Sequence, residues 1–182
     1  MRIFIIAIVL NFLLITNIYS SEREEELNEL FIDLQVDNFN LAHVTEQKIW
    51  EIWSTHPTDK NLTLILKKGS NLINVNKPRD AINVFTNLID LDPLWAEAWN
   101  KRATVFYLIG EYQKSQDDIN KVLKLEKRHF GALAGQGLVN IKLENYEKAI
   151  KSYEKAQQIY PSMQSPKIMI EKIEELIKKQ SI

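Results

Sequence analysis

The side chains able to carry out chemistry are few in this sequence, and their spacing groups none of them. His43, His56 and His129 stand far apart, in no metal-ligand pattern such as His-Glu-x-x-His. Cys is absent, which removes thiolate ligands, thiol nucleophiles and disulfides at once. There is no Gly-rich phosphate loop and no Gly-x-Ser-x-Gly elbow. Gly131, Gly135 and Gly137 make a G-x-x-x-G-x-G string, but it follows no strand and falls inside a helical pattern, where close helix packing is its expected use. No catalytic, cofactor-binding or metal-ligating residue is therefore assigned, no cofactor or metal is expected, and the chain does not read as an enzyme. An enzyme or small-ligand binder would need a closed polar pocket around His129 or Arg102.

Two polar residues still require partners. Arg102 occupies an inward column with Lys68 and Gln136, while Asp117 and Asp118 lie on the following helix. An Arg102–Asp118 pair is expected to fix the packing there. His129, preceded by Arg128, falls in line with Trp95 and Met163. It is expected to open a helix and pack beneath its neighbours, the other reading being a protonatable contact at a groove rim. Asn61-Leu62-Thr63 matches a glycosylation sequon, with Asn61 expected near a helix start.

The elements that must position these residues are helical. The 182 residues suffice for one cored domain, and 45% hydrophobic with 26% charged residues is ordinary globular usage. With 5 Gly and 5 Pro the chain is poor in turn formers. A net charge of -1 gives no overall field for phosphate, and no basic stripe with interleaved aromatics appears, so nucleic acid is not an expected partner. The charge is unevenly placed. Residues 21–60 hold ten acids and three bases, net −7, whereas residues 61–182 carry 19 bases and 14 acids, net +5. The acidic front is read either as a solvated face or as a segment that folds back on the rest or repels wrong partners.

Met1-Arg2 followed by the apolar run Ile3 to Ile15 reads as a secretory signal peptide spanning residues 1–20, cut after Ser20. The alternative is a retained anchor, since Ile3 to Ile18 falls just short of a bilayer span. Either reading places the folded part outside the cytoplasm, periplasmic or secreted in the first case and membrane-anchored facing the periplasm in the second. The membrane is a partner only if this segment is retained.

Sliding the sequence against itself by 34 residues aligns its packing positions. Ile65, Trp99 and Leu133 match, as do the small residues Gly69, Ala103 and Gly137. Ala81, Ser115 and Ala149 form a second small column, followed by Phe85, Ile119 and Tyr153. Leu72 and Phe106 align, although Asn140 breaks that column, and Pro93 and Pro161 stand two periods apart. Steps of three and four within each copy place these residues on helical stripes, and the small columns let paired helices approach closely. Short turns are expected at Asn76-Lys77, Gly110-Glu111 and Glu144-Asn145, with Pro78, Tyr112 and Tyr146 opening the second helices.

This pattern resembles the tetratricopeptide-repeat (TPR) family over residues 62–163. The expected fold is all-α: an α-solenoid of three helix pairs (62–95, 96–129 and 130–163), preceded by an acidic helical pair over 21–57 that could form a degenerate extra repeat. A capping helix over 165–180 follows, with Ser165 as N-cap, for roughly nine helices and no sheet. Three strings, Ile49 to Trp53, Ala98 to Thr104 and Arg128 to Leu133, are similar to small exported bacterial TPR proteins. The resemblance implies a protein-interaction module whose first helices line a concave groove for an unidentified protein or peptide. Its groove candidates are Leu66, Ser70 and Ile73, then Asn100, Lys101, Thr104 and Tyr107, then Ala134, Leu138, Ile141 and Lys142, with Tyr107 as aromatic anchor. Leu66, Ser70 and Gly131 stand where the family's carboxylate clamp wants polar or basic groups, so a chaperone-tail receptor is not expected.

Overall fold

The computed structural model describes residues 22–36 and 38–180; the expected signal segment lies outside the described residues. Among these residues there are nine helices and no strand. They are α1 (residues 22–33), α2 (Phe39–Ser54), α3 (Lys60–Asn74), α4 (Pro78–Leu91), α5 (Ala96–Leu108), α6 (Tyr112–Leu125), α7 (Phe130–Lys142), α8 (Tyr146–Ile159) and α9 (Gln164–Gln180). None of the described helices is long and apolar enough to cross a membrane.

Helices α3 to α8 form three antiparallel pairs, and the closure of each pair is written in its turn. Asn76, Gly110 and Glu144, spaced by 34, all adopt the left-handed conformation (φ 57°, 83° and 59°). Each ends its helix in a Schellman arrangement, with Lys77, Glu111 and Asn145 donating back to the carbonyls of Leu72, Phe106 and Asn140. Only Gly110 takes that conformation without a Cβ penalty.

Inside a pair, small faces large. A Cβ on Gly69 would lie 2.5 Å from the Phe85 ring, and one on Gly137 would lie 2.5 Å from the Tyr153 ring. Where the middle copy has Ala103, the opposing residue is the slimmer Ile119, and both are buried in one cluster. The columns 69/103/137 and 85/119/153 are thus two halves of one steric fit.

Between pairs, Ala98 and Val105 pack with Leu66, Phe85 and Leu88 of the first repeat, and Ala132 and Val139 pack with Ala103, Ile119 and Val122 of the second. Their counterpart at the front, Leu64, is 62% exposed, because among the described residues no pair stacks before α3. The α1–α2 hairpin therefore does not extend the solenoid as an extra repeat. Its apolar stripe, Leu27, Leu30, Phe31, Leu34, Ile49 and Trp53, packs instead on Phe130 and Tyr160, where the third repeat begins and ends. At the back, α9 buries Ile173 against Ala149 and Tyr153, with Met169 and Ile177 alongside, and so caps the stack. It begins at Gln164, one residue before the expected N-cap Ser165.

Candidate functional site

The three strings singled out in the sequence meet at one place. Trp53 of α2 stacks flat on the His129 imidazole, 4.0 Å between centroids and 11° between planes. Trp50, about one helical turn away, stands edge-on to both His129 and Phe130 and covers Gly131, whose absent Cβ would lie 2.5 Å from the indole. Lys101 of α5 reaches over the Trp50 ring at 5.7 Å. Gly131 is thus the position that lets α2 lie against the start of α7.

Beneath the tryptophans lies a buried carboxylate. Glu97 accepts from Asn100 Nδ2 (3.0 Å) and pairs with Lys101 Nζ (3.0 Å) and His129 Nε2 (3.2 Å). His129 Nδ1 accepts the backbone N–H of Ala132, capping α7, so its proton sits on Nε2 and points at Glu97. Burial pushes the Glu97 carboxyl up, but the His129 hydrogen bond and the nearby Lys101 outweigh it, and the group ends below the ordinary carboxylate value. His56 repeats the design at the first repeat: Nδ1 accepts from Asp59 N while Nε2 pairs with Asp92 at 2.9 Å. His129 is the N-cap of α7, whereas His56 lies in the connection before α3, whose N-cap is Asp59; both pack under neighbours.

The hairpin is pinned at all three repeat junctions. Trp95 Nε1 donates to the Trp53 carbonyl (2.9 Å), Arg128 pairs with Glu24 (2.7 Å), and Gln35 donates to the Ile159 carbonyl (2.7 Å). Tyr160 donates to Glu46 (3.2 Å), and burial together with that carboxylate pushes its hydroxyl up to about 12. The acidic front folds back on the repeats.

The expected groove residues divide by neighbour. Leu66 is a core residue, 2% exposed, and Ile73 packs with it, because α5 covers that flank of α3; Ser70 donates to the Leu66 carbonyl and is half-buried. Ala134 and Ile141 likewise pack into the cluster formed with α9. Leu66, Ile73, Ala134 and Ile141 are therefore packing positions toward the next helix and not open groove. Lys142 is exposed at the end of α7.

Among the described residues, the equivalent flank of α5 stays open. Asn100, Thr104 and Tyr107 line a cleft of about 90 Å³ with Leu138, Gly131 and Gly135 of α7, floored by Ser115 and Ile119. Gly135 keeps it open: a Cβ there would meet only Ile119, at 3.7 Å, an ordinary contact. The glycine string was legible, but of its three members only Gly131 and Gly137 serve close packing. Gly135 preserves a space.

Arg102 forms the expected pair, bidentate to Asp118 with both contacts at 2.8 Å, and its Nη1 also donates to Thr86. The guanidinium lies 5.0 Å from the Trp99 ring and 5.7 Å from Phe106. Its role is packing. No group of three or more His, Asp or Glu able to hold a metal occurs among the described residues.

Helix pairs repeating at 34 residues, with a left-handed turn in each and small-to-large matching across it, define a tetratricopeptide-repeat solenoid. The chain belongs to the TPR family. The tetratricopeptide-repeat profiles match residues 66–115 and 130–163. A TPR repeat-containing protein of Rhizobium etli is 31% identical over 144 residues, covering 79% of this chain and 70% of that one. RNA polymerase II-associated protein 3 of Xenopus laevis is 26% identical over 134 residues, 74% of this chain but 20% of its own length. Among solved structures, the first TPR domain of Spaghetti (RPAP3) bound to the HSP90 peptide SRMEEVD superposes with a TM-score of 0.62 at 21% identity. It covers 64% of this chain and 93% of its own. The Yersinia enterocolitica type III secretion chaperone SycD in complex with a peptide of the translocator YopD gives a TM-score of 0.61 at 16% identity, with 67% and 97% covered.

Proposed function

We propose that this protein is an interaction module that binds a segment of another polypeptide at the cleft between α5 and α7, acting outside the cytoplasm as a scaffold for its partner. The observation that carries the reading is the gap left by Gly135 beside Tyr107, a stretch of the first-helix face that, among the described residues, neither the next helix nor the α1–α2 hairpin fills. The cleft is mostly apolar and has room for one side chain. Tyr107 and Leu138 supply the contact area, and Asn100 and Thr104 supply polar atoms at its edge. A partner segment would set an apolar anchor there and run along α5 and α7. The hairpin bars the other end, since Trp50 stands where a chain crossing Gly131 would pass. TPR domains bound to peptides, as in the structures above, make this use of the fold a natural one.

The extracytoplasmic placement is supported by the leader pattern of residues 1–20. A mature chain starting at Ser21 by N-terminal sequencing agrees with cleaved export, whereas a chain that keeps Met1 and sediments with membranes would replace it by an anchored assembly factor. For the cleft, crosslinking pull-down from the native envelope should lose its partner with Tyr107→Ala, and also with Gly135→Leu, which fills the gap. Undiminished recovery by both variants would remove the assignment.

A further inference from the structure

The 34-residue register exposes a second cleft, on the opposite side of the repeats. In the middle copy the space between second helices is filled: Arg102 lies between Trp99 and Phe106, locks onto Asp118, and Lys114 sits over Phe106 at 5.7 Å. One period on, Gln136 replaces Arg102, Asn140 replaces Phe106 and Ser152 replaces Asp118. The smaller side chains leave a cleft of about 460 Å³ between α6 and α8, within the roughly 300–1,000 Å³ usual for ligand sites.

Its floor is made of amides. Asn140, 6% exposed, donates to the Gln136 carbonyl oxygen and to Gln116, Ser152 donates to Gln136 Oε1, and Gln116 donates to Asn120. That chain leaves the Gln136 Nε2 donor and the Asn140 Oδ1 acceptor without a partner among the described residues. Its wall is cationic. Lys148, Lys151 and Lys155 project from α8, form no ion pair among the described residues, and no carboxylate belongs to the lining. Asp117 stands where the third copy has Lys151, so the middle repeat lacks this uniform charge.

We infer that this cleft is a separate binding site for an acidic, extended polypeptide segment. Amides carry a donor and an acceptor side by side, which matches the N–H and C=O of a peptide main chain. Lysines three and four apart face the cleft together and would take its Asp or Glu carboxylates. The site is distinct from the Tyr107 cleft and does not depend on it.

Fluorescence anisotropy with a fluorescein-labelled peptide of alternating Glu and Gly tests it on the full chain. Binding should occur, weaken with added salt, and be unaffected by Tyr107→Ala. Lys148→Glu with Lys151→Glu and Lys155→Glu should weaken it more than tenfold, while Lys121→Glu with Lys124→Glu changes it little. The decisive variant is Gln136→Arg with Asn140→Phe and Ser152→Asp, which installs the middle repeat's filling at unchanged net charge. Loss of peptide binding there supports the cleft. Undiminished binding would reduce the site to surface lysine charge and overturn the proposal, as would a polyglucuronate that binds where the peptide does not.

Discussion

At the scale of single residues, the fold is decided by volumes matched across each helix pair. Phe85 and Tyr153 need a hydrogen opposite them, and Gly69 and Gly137 supply it; Ile119 tolerates Ala103. Gly137→Ala would place a methyl within 2.5 Å of the Tyr153 ring and should cost about 1–3 kcal/mol in chemical denaturation, as overpacked cores do. Ala103→Gly, with no such ring to relieve, should cost only about 1 kcal/mol, the ordinary helix penalty. Arg102 is the polar counterpart. Its pairing with Asp118 is enclosed on both sides (side-chain exposure 16% and 6%), so Arg102→Ala leaves a carboxylate without its partner and should cost about 3 kcal/mol. An unchanged thermal midpoint for that variant would contradict the packing role. The small-to-large pairings were legible because their columns recur at the same offset, and the Arg102–Asp118 pair because a charge in an inward column needs a partner on the following helix. The exposure of the groove residues was not, because Leu66, Asn100 and Ala134 share one column yet meet α5, a glycine-lined gap and α9 respectively.

At the scale of elements, the α1–α2 hairpin is where sequence and structure part. Its helices, its apolar stripe and its excess of acids are all legible in the sequence, and an acidic front facing a basic body is compatible with folding back. The docking place could not, because it depends on three strings distant in sequence that converge only in space. Periodicity finds helices that repeat; it carries no information about a helix pair that belongs to no repeat. Trp53 is the hinge of the arrangement, stacked on His129, in contact with Phe130, and accepting from Trp95 through its carbonyl. Trp53→Ala should cost about 3 kcal/mol, roughly a hundredfold in the local opening constant. Hydrogen exchange should then accelerate in residues 22–54 while α4, α6 and α8 keep their protection. Uniform acceleration over all helices would mean that hairpin and repeats unfold as one unit.

At the scale of the whole molecule, a front of net −7 is held against a body of net +5, and the seam between them is anchored on one buried carboxylate. Glu97 ties α5 to α7 through His129, and His129 carries the Trp53 stack. Because the folded carboxyl is more acidic than its ordinary value of 4.5, the native state binds fewer protons than the unfolded chain as the solution is acidified. Its stabilisation is therefore complete above the ordinary Glu range and drains away as the pH falls through about 4.5 toward the lower folded value. Glu97→Gln removes that dependence and leaves Lys101 and His129 facing a neutral amide. At neutral pH the substitution should cost about 3 kcal/mol, roughly 6–12 °C in the melting midpoint of a chain this size. Calorimetry from pH 7 downward should show the two melting curves converging in acid, where the wild-type carboxylate is protonated as well. Curves that stay parallel to the lowest pH would mean that Glu97 contributes shape and not charge, and that the seam is held by the tryptophans alone.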